Sequence, residues 1–151
     1  MKTTVLDTNI LIHYFKNSPL INHIRKFLDS NEIVTVISVV TRAELLAISK
    51  RNNWGNKKIE ELNKFLNSFV HLDIEHNNHN LLDAYVTIDA FSQRKIAAPN
   101  GQFLGTSSRN MGKNDLWIAA TAYVLNAALV TTDDDFDHLH DIFFKVEKFK
   151  S

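Results

Sequence analysis

A chain of 151 residues, 44% of them hydrophobic, is read most simply as one domain over residues 1–151, since a single core of this size buries enough surface to fold alone. It has no cysteine, which excludes a disulfide framework, thiolate metal sites and cysteine nucleophiles, and makes a reducing cytoplasm the natural setting. Seventeen basic residues cancel seventeen acidic ones, no stretch approaches the roughly 18 uninterrupted apolar residues of a membrane span, and the chain reaches Asp7 with no apolar leader, so a soluble, unexported protein is expected.

In chain order, residues 3–6 form a short β-prone run that passes through Asp7-Thr8-Asn9 into a helix over 10–15. Ser18-Pro19 predicts the next helix, with Ser as N-cap and Pro at the first helical position, and Leu20, Ile24, Phe27 and Leu28 on one face. Residues 33–37 are a β-branched run that reads as the second strand, followed by a helix over 41–50. Ile59, Leu62, Phe65, Leu66 and Phe69 recur at helical spacing within 56–69, and 70–74 reads as a third strand. A helix over 78–94, another over 114–126, a strand over 128–131 and a final edge strand over 142–146 complete the chain. Strands alternating with helices imply a three-layer α/β sandwich: a central, mainly parallel sheet of about five strands flanked by helices.

Residues 95–113 fit no regular element. They hold Gly101, Gly105, Gly112 and Pro99, and structureless loops beyond about 12–15 residues are usually functional or disordered. No acid occurs between Ala90 and Asn114, where Arg94, Lys95, Arg109 and Lys113 all lie, whereas Asp133 to Asp141 carries five Asp and no Lys or Arg. A neutral chain can therefore present an acidic pocket beside a basic stretch, although local imbalances of this size also arise by chance. The basic loop is expected to hold nucleic acid, with Phe103 the better candidate for base stacking; Trp54 and Trp117 are expected to pack.

Four acids stand where a parallel α/β sheet gathers its functional groups: Asp7, Glu44, Asp115 and Asp133, with Asp135 a rival to Asp133. Each has a structural alternative. Asp7 could form an Asx-turn or cap the next helix. Thr41-x-x-Glu44 is a capping-box pattern, although Val40, Ala47 and Ile48 share the face of Glu44. Asp115 could serve only the helix dipole, yet it lies on the stripe of Ile118 and Ala122. At least one of Asp133, Asp134 and Asp135 should be a solvated turn residue. Acids converging in one cleft would repel unless a cation sat among them, which makes Mg²⁺ or Mn²⁺ the first hypothesis. The seven histidines form no convincing ligand set, and His138 and His140 are expected to be solvated.

The motifs Val5-Leu6-Asp7-Thr8-Asn9, Ser38-x-x-Thr41-x-x-Glu44-Leu45, Asn114-Asp115-x-x-Ile118-Ala119-Ala120-x-Ala122 and Val130-Thr131-x-Asp133-x-Asp135-Phe136 resemble the signature of PIN-domain nucleases. Size and motif order look most like the VapC-type toxins of toxin–antitoxin modules. The resemblance implies a PIN-like fold and a magnesium-dependent, single-strand-specific endoribonuclease, often a homodimer, held inactive by a small antitoxin. It also implies that Asp7, Glu44, Asp115 and Asp133 act as catalytic and metal-binding acids, with Asn9 and Thr131 in support. The long 95–113 loop departs from the shorter toxins.

The chemistry expected is hydrolysis by a metal-activated water, with the acids as ligands or one as general base. Two alternatives stay open. A phosphatase or receiver domain would use Asp7 as phosphate acceptor, although no second Asp follows two positions on. A non-catalytic RNA-binding domain would keep the fold without cleavage.

Overall fold

The computed structural model describes residues 2–16, 18–29 and 33–150. Five strands, β1 (Lys2–Leu6), β2 (Ile33–Ser38), β3 (Val70–Leu72), β4 (Ala128–Thr131) and β5 (Val146–Lys148), form one all-parallel sheet in the order β3-β2-β1-β4-β5. The helices are α1 (Thr8–Phe15), α2 (Ile21–Asp29), α3 (Val39–Arg51), α4 (Asn56–Asn67), α5 (His79–Ser92) and α6 (Lys113–Val124). No helix among the described residues is long and apolar enough to cross a membrane.

Alternation along the strands divides the core between the two faces of the sheet. Val5, Val36 and Leu129 pack with Ile88 and Phe91 of α5 and Leu116, Ile118 and Ala119 of α6. Leu6, Ile37 and Val130, each the next residue, pack on the opposite side with Ile10, Leu11, Ile24, Leu45, Leu62 and Leu66 from α1 to α4. β1 lies at the centre, in register with β2 through Val5 and Val36 and with β4 through Val5 and Leu129. The chain winds outward from β1 to β2 and β3 on one side and to β4 and β5 on the other. The order therefore reverses at β1, and the crevice of such a sheet opens at the carboxyl ends of the two strands flanking that reversal.

Three local expectations are corrected. The N-cap of α3 is Ser38, whose hydroxyl accepts from the Val40 amide at 3.2 Å. Thr41 is instead a fully buried residue of the first turn, so Thr41 and Glu44 form no capping box. The helix starts early because β2 pairs through Ser38 itself and leaves no loop between strand and helix. α2 begins at Ile21, two residues past Pro19, after a turn in which Ser18 accepts from the amides of Leu20 and Ile21.

The last strand is Val146–Lys148 and not 142–146. Phe143 and Phe144 are both buried, and Phe143 packs edge-on against Phe91 and Tyr123, at 5.1 and 5.4 Å between ring centroids. Two adjacent inward side chains cannot both be served by a pleated strand, so the chain turns there and pairing starts later.

Residues 93–112 contain neither helix nor strand. Ala98 and Leu104 nevertheless reach the core, and Gly101, at φ 89°, takes the left-handed conformation that closes the turn between them.

Ser38→Ala should cost about 1 kcal/mol in urea unfolding through loss of the α3 cap, and Thr41→Ser, which keeps a hydroxyl at a non-capping position, should leave the α3 start intact by amide exchange.

Candidate active site

Asp7 follows β1 directly, and its amide donates to the Val130 carbonyl at 2.9 Å, extending the β1–β4 ladder by one step. The residue is 3% exposed. Oδ1 accepts from the Thr8 amide at 2.7 Å and so caps α1; Oδ2 accepts from the Thr131 hydroxyl at 2.8 Å. The cap and the pocket carboxylate are thus the same group. Burial pushes Asp7 up to about 7, the charges of Asp115 and Asp133 push the same way, and the bonds from Thr131 and Thr8 offset part of the rise.

Thr131 ends β4 and works in two directions. While its hydroxyl donates to Asp7, it accepts from the Asp133 amide at 3.0 Å, fixing the turn that presents Asp133. The Asn9 side-chain amide donates to Asp133 Oδ2 from the first turn of α1. Thr8 performs the matching task toward α3: its hydroxyl donates to Glu44 Oε1 at 2.7 Å, with Thr41 Oγ1 3.3 Å away. Asp7, Asp133 and Glu44 are therefore bound to one frame by three short side chains, Thr8, Asn9 and Thr131.

Asp115 lies in the first turn of α6, partly buried, with Gly112 against its Oδ2. Burial is the largest cause raising it to about 6, followed by the charges of Asp135, Glu44 and Asp133. It borders two recesses. One, of about 290 Å³, lies among Arg109, Asn110, Met111, Gly112 and Asp135; the other, of about 420 Å³, lies among Glu44, Gly112, Lys113 and Asn114. Asp135 lines the smaller recess with Asp115, and the charge of Asp133 bears on both Asp7 and Asp115. Asp134 turns away to Lys148 and Lys150, at 2.9 and 2.6 Å, whose hydrogen bonds hold it down to about 2.

The oxygen-only donor set suits a hard divalent cation. Among the described residues no three acidic or histidine groups already close on one point as a ready-made cage. Mg²⁺ binds through one or two carboxylates and keeps waters for the rest, so a site for it does not require such a cage.

Of the basic residues, Arg109 and Lys113 each line a recess. Arg94 and Lys95 lie exposed beyond the end of α5 and line neither.

A PIN domain family model matches residues 4–142. The chain belongs to the PIN domain family. It is 28% identical over 144 residues to Ribonuclease VapC1 of Haemophilus influenzae strain R2866, covering 91% of this chain and 92% of that one. In structure it is similar to VapBC-1 from nontypeable H. influenzae, at 28% identity and a TM-score of 0.65 over 97% of each chain. VapBC2 from Rickettsia felis, bound to a DNA fragment from its promoter, shares the fold at 22% identity, with a TM-score of 0.71 over 97% of this chain and 98% of that one.

Within this PIN domain, Trp117 and Trp54 pack as expected, Trp117 against Tyr85 at 4.3 Å and Trp54 between Phe15 and the Lys58 ammonium. Phe103 is 63% exposed at the loop tip. His138 departs from the solvated placement expected of it: it is half-buried, with Nε2 2.8 Å from the Ser92 hydroxyl. Its short spacing from His140 carried no sign of that, because the partner lies 46 positions away. Thr8 was passed over as a site residue, although its place between Asp7 and Asn9 was the available signal.

The raised Asp7 pKa has a definite sign for stability. A carboxyl that holds its proton more tightly when folded contributes stability that is fully present below the ordinary value of 3.8 and is lost as pH climbs through about 7. In chelator, wild type should lose on the order of 3 kcal/mol relative to Asp7→Asn across that window and run parallel to it above. Urea unfolding at stepped pH measures this, and a wild-type curve tracking the variant throughout would contradict the burial of a strained acid.

Proposed function

We propose that this PIN domain is a divalent-metal-dependent, single-strand-specific endoribonuclease, the toxin of a toxin–antitoxin pair, acting in the cytoplasm. The observation that carries the chemistry is the pair of raised acids, Asp7 and Asp115, in a crevice shared with Glu44, Asp133 and Asp135. A carboxylate cluster that resists ionisation on its own gains most from a cation. Support for the substrate comes from the relative named a ribonuclease, aligned over nearly the full length of both chains, and support for an antitoxin from the VapBC neighbours.

Asp7, Glu44, Asp115 and Asp133 would hold Mg²⁺ or Mn²⁺, with Asp135 at the edge of the set. When bound, the cation supplies an acidified water as nucleophile and positive charge against the scissile phosphodiester. Thr8, Asn9 and Thr131 keep the acids in place before substrate arrives, so little reorganisation is left for the reaction itself. Arg109 and Lys113, on the recess walls, hold the phosphates beside the scissile one, and Arg94 and Lys95 extend the basic approach outward. A homodimer and an antitoxin whose C-terminal segment enters the crevice complete the proposal.

Asp7 makes a poor phosphate acceptor, because both its oxygens already accept hydrogen bonds and almost none of it is exposed. That favours hydrolysis over the phosphatase or receiver alternative. The presence of every acid favours catalysis over RNA binding alone.

Asp7→Asn, Glu44→Gln and Asp115→Asn should each lower cleavage of single-stranded RNA by at least about 100-fold while the circular dichroism stays native. Expression of the wild type should arrest growth and the same variants should relieve the arrest. Wild-type activity in all three purified variants would remove the assignment.

A further inference from the structure

The 93–112 connection forms the Arg109–Gly112 wall of the smaller recess without a helix or strand to hold it there. Ala98 and Leu104 anchor its first half in the core, whereas residues 105–110 are all exposed. Three contacts converge on Ser92, the last residue of α5, two of them from the returning half of this connection. The Arg109 amide donates to the Ser92 carbonyl at 2.7 Å, the fully buried Ser92 hydroxyl lies 3.4 Å from Met111 Sδ, and His138 Nε2 stands 2.8 Å from the same hydroxyl.

A hydroxyl has one proton. Ser92 Oγ can direct it at Met111 Sδ, with Nε2–H of His138 donating, or at Nε2 itself, so the 2.8 Å contact holds with either tautomer of the imidazole. In both tautomers the buried Nδ1 has no hydrogen-bond partner among the described residues. The charged ring, protonated on both nitrogens, would hold an Nδ1–H with no acceptor and would lie near Arg109. Accordingly, burial first and the Arg109 charge second push His138 down to about 4, against the opposing pull of Asp137 and Asp135. His138 stays neutral.

His138 belongs to the segment that carries Asp135 to the recess. It sits in the turn over Asp137–Leu139, just beyond Asp133 and Asp135, between the fully buried Phe136 and Leu139. One hydrogen bond therefore ties the turn that follows the acidic residues to Ser92, the residue on which the returning loop is anchored beside the recess that Asp115 borders. An apolar side chain would fill the same space without a buried unpartnered nitrogen, so packing alone does not account for an imidazole here.

We propose that His138 is a positioning residue for RNA binding: its bond to Ser92 Oγ sets the Arg109–Gly112 wall, and with it Arg109, at a fixed reach from Asp115 and Asp135. The role in RNA binding rests on the ribonuclease function proposed above; the clasp itself does not.

The test combines kinetics on single-stranded RNA with native-state trypsin cleavage after Arg109. His138→Ala should raise KM about ten-fold with kcat within about two-fold, and should speed the cleavage about ten-fold. His138→Gln, whose amide N–H can donate to Ser92, should bring KM back to within about three-fold of wild type. Arg109→Ala added to His138→Ala should raise KM no further than Arg109→Ala alone, because the two act through one contact. An unchanged KM and trypsin rate in His138→Ala, additive losses in the double variant, or failure of Gln to restore binding would each overturn the proposal. Should His138→Ala unfold, Ser92→Ala, which removes only the hydroxyl, is held to the same expectations. If wild type cuts no RNA, the ribonuclease function falls, and the trypsin comparison alone judges the clasp.

Discussion

Asp7 stands where water scarcely reaches it because β1 is the middle strand of an all-parallel sheet, flanked by β2 and β4 and covered by helices on both faces. A carboxylate in that position carries a desolvation cost that its two hydrogen bonds only partly offset, as its rise to about 7 records. The neighbourhood is organised around that cost. Thr8 and Thr131 are spent on its two oxygens, and each in turn fixes another acid: Thr8 through Glu44, Thr131 through the Asp133 amide. The site is a shared frame in which the same short polar side chains serve the fold and the acids.

Topology explains why these acids meet despite their separation in sequence. Strand order reverses at β1, so the carboxyl ends of β1 and β4 lie side by side and their following turns, Asp7-Thr8-Asn9 and Thr132-Asp133, face each other. α3 starts at the end of β2 without a loop and carries Glu44 into the crevice in its second turn. α6 delivers Asp115 from the far side after the long 93–112 connection, whose return brings Arg109 and Lys113 to the same mouth. Acid and base are thereby placed next to each other in a chain with no net charge.

Much of this was legible in the sequence, for identifiable reasons. The β-prone runs at 33–37 and 128–131 are bounded by strong helix patterns, so the strands and their parallel order followed from periodicity, and the four acids each follow an apolar run or lie in the early turns of a helix. Local signals misled where a competing contact was non-local. Thr41-x-x-Glu44 matched a capping box, but Ser38 had already taken the cap and freed Glu44 for Thr8. Phe143 and Phe144 promised a strand, but the core claimed both rings. His138 looked solvated beside five aspartates, but its partner is Ser92 on another helix. The choice between Asp133 and Asp135 depended on turn geometry that spacing does not encode, and the structure places both at the crevice.

The central claim is that buried, mutually repelling carboxylates are kept partly protonated until a cation replaces the proton. Calorimetric titration with Mn²⁺, run in buffers of different ionisation heat, counts the protons released on binding. At about pH 6 binding should release roughly 1.4 protons, the larger part from Asp7 and the rest from Asp115, and the release should fall toward zero at about pH 9 and drop to roughly half a proton at pH 6 in Asp7→Asn. Tight Mn²⁺ binding at about pH 6 with no proton released, or no binding at either pH, would contradict the account.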